Sequence, residues 1–160
     1  KTGNKFNNFA QELTLKHLLN FANRRLQKLH SRYILSMPLD VEDDDLVVVD
    51  TNMGNERRSV KTLSGGETFI ISLSLALGLS DLASRDVLIE SLFIDEGFGT
   101  LDPEVLETTI GTLEQLQAES NKTVGIISHV DSMRERIYTQ VQLEKQQNGF
   151  STMKIYPETT

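Results

Sequence analysis

The sequence has no cysteine and no tryptophan, and its 160 residues include only three prolines and ten glycines. Without cysteine, neither a disulfide framework nor a thiolate metal centre is available, and the chain suits a reducing compartment. No apolar run approaches the length of about 20 residues that spans a bilayer, so no membrane segment is expected. None of the ten glycines is followed by lysine. That excludes a Gly-x-x-x-x-Gly-Lys-Ser/Thr loop, whose backbone and lysine grip a nucleotide's phosphates. What remains, at 38% hydrophobic and 24% charged residues, is an ordinary globular composition with enough chain for one core.

Acidic residues dominate, giving a net charge of −7, but unevenly. Residues 1–32 carry Lys1, Lys5, Lys16, Arg24, Arg25, Lys28 and Arg32 against the single acid Glu12. A basic arm on an acidic body fits contact with nucleic acid or an acidic protein, and equally a solvated helix.

That arm reads as a helix over residues 6–30, with Leu15, Leu18, Leu19, Ala22, Leu26 and Leu29 spaced by three and four and no Pro or Gly between them. Phe6, Phe9 and Leu13 extend the stripe, so one helix of about 37 Å is expected, either a core helix or the end of a projecting arm. Strands are predicted over 32–36 and 46–51, with the acidic stretch 42–45 as a solvated turn. A turn at 52–55 and a polar linker at 56–62 follow.

The apolar run after residue 68 alternates like a strand, yet Ser64 followed by Glu67 is a capping box, which favours a helix. A buried strand is predicted over 89–94, and Asp102-Pro103 caps the helix after it. A strand at 123–128, a short helix at 131–136 capped by Asp131, and a hairpin of 138–143 with 151–156 around Asn148-Gly149 complete an α/β pattern without internal repeat.

Three clusters carry chemistry. Ser64, Gly65, Gly66 and Glu67 open a helix whose first amides and positive dipole end attract anions, although an ordinary helix cap has the same residues. The strand LFIDE delivers Asp95 and Glu96 to its C-terminal end, where open α/β sheets bind ligands. An aspartate there suits a hard cation such as Mg²⁺, and a glutamate suits proton abstraction from water. His129 follows the strand TVGIIS. Parallel pairing with LFI would bring it to the edge that carries Glu96, where it would donate to a terminal phosphate. A lone histidine is more often structural.

In this order, LSGGE, an apolar strand ending in DE, a turn ending in Asp and a strand ending in His resemble the ABC-type ATPases over residues 60–130. LSGGE matches that family's signature motif letter for letter. The turn DEGFGTLD and the flanks KFNNFAQELTLKHLLNFANRRL and SLALGLSDLASRD are similar to the SbcC-type, SMC-like branch, so the resemblance covers nearly the whole chain.

The resemblance implies an α/β fold: the C-terminal half of an ABC-type P-loop ATPase head, a single domain over 1–160. Residues 1–31 would form the root of a coiled-coil helix and 32–160 the lobe with signature motif, Walker B, D-loop and switch histidine. It implies ATP and Mg²⁺, with Asp95 holding Mg²⁺ through water, Glu96 polarising the attacking water and His129 sensing the γ-phosphate. Ser64, Gly65 and Gly66 would cap ATP bound to the opposite protomer, with Glu67 supporting the turn and Asp102 at the dimer seam.

The implied partners are the N-terminal Walker A half, a second head, an SbcD-type nuclease and double-stranded DNA. A cytoplasmic location and no membrane are expected. Two rival readings are the nucleotide-binding component of an ABC transporter and a degenerate dimerisation or DNA-binding module. The long first helix and the GFGT turn oppose the former, and intact Asp95, Glu96 and His129 oppose the latter.

Overall fold

The computed structural model of the chain describes residues 2–38, 46–84, 89–120, 122–147 and 149–157. The predicted acidic turn at 42–45 and Asn148 lie outside them. The chain forms two compact units, Lys1–Ile127 and Ser128–Thr160.

The first unit begins with helix α1, Thr2–Leu29, whose 28 residues extend about 42 Å. Only its second half is in the core: Leu19, Ala22, Leu26 and Leu29 are buried, whereas Phe6 and Phe9 are 72% and 63% exposed. The buried half packs along helix α2, Gly65–Ala83. The two backbones approach so closely that a Cβ on Gly78 would lie 2.5 Å from the Ala22 nitrogen. A fork of two bonds, from Arg25 Nε and Nη2 to Asp81 at 2.7 and 2.9 Å, ties the same pair of helices.

Helix α2 wins over the strand reading because Ser64 caps it and because its buried residues, Ile70, Ile71, Leu73, Ser74, Leu77 and Gly78, recur at helical spacing. Contrary to the expectation from sequence, this helix is long and apolar enough to cross a membrane by length and composition. Its serines and glycines interrupt the apolar run, yet Glu67 and Asp81 are its only charged residues. Here one face of it is packed in the core.

Strands β1, Tyr33–Ser36, β2, Val47–Asp50, and β3, Glu56–Ser59, form an antiparallel sheet in that order. Asn23 of α1 anchors β1 by exchanging two hydrogen bonds with the Leu35 backbone, at 2.7 and 2.8 Å. Strand β3 replaces part of the expected linker at 56–62. Its residues, Glu-Arg-Arg-Ser, have no apolar alternation, and the strand exists through its backbone ladder to β2. Between β2 and β3, Gly54 and Asn55 take the left-handed conformation that reverses the chain.

Strands β4, Ser91–Asp95, and β5, Thr123–Ile127, are parallel and joined by helix α3, Pro103–Ser120. Asp102 caps α3 through its carboxylate, which accepts the Val105 N–H at 3.0 Å. Phe93 and Ile127, 73% and 55% exposed, leave apolar surface open on this two-stranded sheet.

In the second unit, helix α4 covers Asp131–Arg136, and β6, Gln140–Lys145, pairs with β7, Ser151–Tyr156. Val130, not Asp131, occupies the N-cap position, and no side chain caps this short helix, which corrects the expected role of Asp131. The cross-strand pairs Val141–Ile155 and Leu143–Met153 are exposed.

Replacing Gly78 by valine tests the α1–α2 packing. Overfilling this contact is expected to lower unfolding stability by about 1–3 kcal/mol. The measurement is the urea midpoint, which should fall at unchanged slope. An unchanged midpoint would show that the helices separate easily.

Candidate functional site

A single turn gathers four of the sequence-predicted residues. Ser64 has extended backbone and receives the Glu67 N–H on its hydroxyl at 3.3 Å. The Glu67 carboxylate in turn receives the Ser64 N–H at 2.8 Å. With this reciprocal cap closed, the amides of Gly65 and Gly66 at the helix start have no partner within the helix. Gly66 is required by space, since a Cβ there would lie 2.7 Å from the Thr100 carbonyl oxygen. The signature turn is therefore pressed against the loop that follows β4.

Between them lies a cavity of about 290 Å³ lined by Ser64, Gly66, Glu67, Asp102, Thr100 and Tyr33, among others. His30 and Arg32, from the connection between α1 and β1, also line it. The cavity thus brings Ser64, Gly66, Glu67 and Asp102 together, and Gly65 sits beside Thr100.

Asp95 ends β4, with its register partner Ile127 at the end of β5. Glu96 extends the ladder by donating its N–H to the Ile127 carbonyl at 2.9 Å. It does so at φ 57, a left-handed conformation uncommon for a residue with a side chain. Such a backbone costs on the order of 1–3 kcal/mol and persists only where the surroundings impose it. Here Gly97 follows at φ 95, directly under the Phe69 ring, where a Cβ would fall 2.2 Å from a ring carbon. Phe69 stacks edge-on against Phe98, with centroids 4.9 Å apart, so the turn after the acidic pair is pinned to the signature helix.

Both carboxylates are exposed. Among the described residues, no three Asp, Glu or His side chains converge to cage a metal. One exposed carboxylate at a strand end is nonetheless the donor set that suits Mg²⁺, an ion that keeps several waters and takes its other ligands from phosphate. His129, exposed, is the second residue beyond β5 and belongs to the second unit.

Sequence reasoning passed over three residues that surround this site. Tyr33 is buried and its hydroxyl donates to Glu67. Arg58 of β3 lies 3.8 Å from the same carboxylate. Asp50, buried at the end of β2, receives a fork from Arg32 at 2.6 and 2.9 Å. The one available signal was that a half-buried capping glutamate needs a partner for its second oxygen.

Burial pushes the Glu67 carboxyl up, but the bonds from Tyr33 and Ser64 and the charge of Arg58 outweigh it and hold the group below its usual range. The Arg32 fork likewise depresses Asp50 against the cost of burial. Burial and the bond to Glu67 push the Tyr33 phenol up to about 12.

The architecture is that of an SMC-type ATPase head fragment. An SMC ATPase studied for ATP-driven dimerisation and DNA-stimulated activation superposes with a TM-score of 0.72, over 91% of this chain and 87% of that one, at 13% identity. The Smc head domain with a coiled coil and joint from Pyrococcus yayanosii gives 0.68 over 96% of this chain and 29% of that one, at 16% identity.

A family model described as SbcC/RAD50-like, Walker B motif, matches residues 35–115, and the chain belongs to this SbcC/RAD50-like family. It is 50% identical over 154 residues to the SbcC component of the SbcCD nuclease of Pseudomonas aeruginosa, covering 96% of this chain and 12% of that protein. It is 36% identical over 156 residues to a probable DNA double-strand break repair Rad50 ATPase of Aquifex aeolicus, covering 96% and 16%. The chain thus spans about an eighth to a sixth of these relatives' length.

The two depressed carboxylates set the pH dependence. Their stabilising contribution is complete above the unfolded carboxylate pKa of about 4 and is lost as pH falls through the lower folded values. The thermal midpoint should therefore stay flat from neutrality to about pH 5 and drop below about pH 4. Asp50→Asn should start lower and lose less on acidification. An equally steep acid loss in Asp50→Asn would remove Asp50 from this account.

Proposed function

We propose that this chain is the C-terminal half of an ATP-hydrolysing head in an SbcC-type component of a DNA repair nuclease. The observation that carries this reading is the closed cap at Ser64–Glu67, pressed against the loop between Glu96 and Asp102. It leaves the helix-start amides of Gly65 and Gly66 without partners inside the helix, in a chain that has no P-loop lysine of its own. Residues 1–160 are read as one lobe, with 1–31 as the coiled-coil root. The exposed Phe6 and Phe9 on the outer half of α1 support that division.

In this reading, Ser64, Gly65 and Gly66 donate to the γ-phosphate of ATP held by a second head, and Glu67 keeps their turn in shape. Helix-start amides suit this because they are positive, fixed in direction and free of side-chain bulk. Asp102 lies at the seam between heads. Glu96 takes the proton of the attacking water, from a backbone held out of its relaxed conformation. Asp95 would hold Mg²⁺ through water, and that ion would neutralise charge on the phosphate oxygens. His129 donates to the γ-phosphate.

The P-loop comes from the N-terminal half of the same protein. The open apolar surface on the β4–β5 sheet, and separately that on the β6–β7 hairpin, support a covering partner of this kind. ATP-driven closure of two heads and their release on hydrolysis would govern access of an SbcD-type nuclease to double-stranded DNA ends and hairpins, in the cytoplasm and away from membranes.

Substituting Glu96 by glutamine in the complete protein keeps the shape and removes the base. Turnover is expected to fall by about 10²–10⁴-fold, the scale of general-base catalysis, with ATP binding preserved and ATP-bound dimer accumulating. The assay is steady-state phosphate release alongside sedimentation. Unchanged turnover would show that Glu96 is not the base.

A further inference from the structure

We propose that Tyr33 is a positioning residue for the signature turn. Its phenol holds one oxygen of Glu67 so that the other stays on the Ser64 N–H and the reciprocal cap in front of the Gly65 and Gly66 amides stays closed. This rests on the reading of the turn given above.

Tyr33 is the first residue of β1 and only 1% exposed. Its ring is fixed from two sides. The His30 ring stacks at 5.3 Å, and the Arg32 guanidinium lies 4.9 Å from its centroid, itself clamped by Asp50. The hydroxyl therefore has little freedom, and it donates to Glu67 Oε1. The second oxygen, Oε2, accepts the Ser64 N–H at 2.8 Å. A carboxylate held at both oxygens cannot turn about its last bond.

A competitor stands close by. Arg58 Nη2 is 3.8 Å from Glu67 Oε2, beyond hydrogen-bond reach, and its buried Nε and Nη2 have no hydrogen-bond partner among the described residues. Such a guanidinium attracts any carboxylate free to rotate toward it. Tyr33 prevents that rotation. Without the phenol, Glu67 turns to Arg58, the Ser64 N–H loses its acceptor and the reciprocal cap opens. The phenol stays protonated throughout the physiological range, since it is pushed up to about 12, so it remains a donor.

The test uses the complete protein with Tyr33→Phe, which keeps the ring and its stack and removes only the hydroxyl. ATP-dependent association of two heads should weaken by about tenfold, the scale of one hydrogen bond to a charged group. ATP binding by a single head should be unchanged. In a Glu67→Ala background, Tyr33→Phe should add nothing, because residues acting through one another are not additive. A full additional loss there, or undiminished association in Tyr33→Phe, overturns the proposal.

If Tyr33→Phe lowers the thermal midpoint too far to assay, Glu67→Gln carries the test. Its carbonyl can accept from Ser64 while its amide donates to the Tyr33 oxygen, so association should fall between that of the natural protein and Glu67→Ala. A Glu67→Gln variant as weak as Glu67→Ala overturns the proposal. Ser64→Arg is the control on the underlying reading, because it places a bulky side chain where the phosphate docks. Intact association in Ser64→Arg overturns both claims, whereas its loss beside a fully active Tyr33→Phe overturns the positioning role alone.

Discussion

A helix can offer its first amides to an outside anion only if something other than that anion fixes the turn before it. In this chain the constraint is met by Glu67, whose two oxygens are divided between the Ser64 N–H and the Tyr33 hydroxyl. Several neighbouring features serve that division. Strand β1 places the phenol, the Arg32–Asp50 fork steadies the strand end, and the absence of a side chain on Gly66 lets the turn rest on the Thr100 carbonyl. The cost of ordering these groups is met by folding, before any ligand arrives.

The same turn is welded to the acidic loop and to α1. Phe69, one turn into α2, packs on Phe98 and roofs Gly97, so the backbone that puts Glu96 at positive φ leans on the signature helix. At the other end of α2, Gly78 lies against Ala22 and Asp81 is forked by Arg25. Helix α2 is thus held against α1 at one end and against the acidic loop at the other, in a close-packed interior.

Much of this was legible in the residues. Ser64 and Glu67 announce a capping box, Asp102-Pro103 a helix start, and LFIDE a strand with its acids at the end, although the strand expected to be buried has only Ile94 in the core and leaves Phe93 exposed. Each is a local signal whose physics lies within a few residues. What stayed hidden depends on partners distant in sequence. Tyr33 is 34 residues from the carboxylate it holds, and nothing about a tyrosine at the start of a strand points to it. Strand β3 lacks any hydrophobic pattern, because its stability is in the ladder to β2. The membrane-length character of α2 is hidden for a different reason, as its small residues interrupt the apolar run while allowing the approach to α1.

The central claim is that this chain supplies the acidic pair and the amide cap while another segment supplies the P-loop. The most direct measurement is ATP turnover by this chain alone and by the same chain co-purified with the N-terminal segment of its own protein. Negligible turnover alone and clear, Glu96-dependent turnover together is the predicted result. Well-folded, associated segments that release no phosphate would contradict the account.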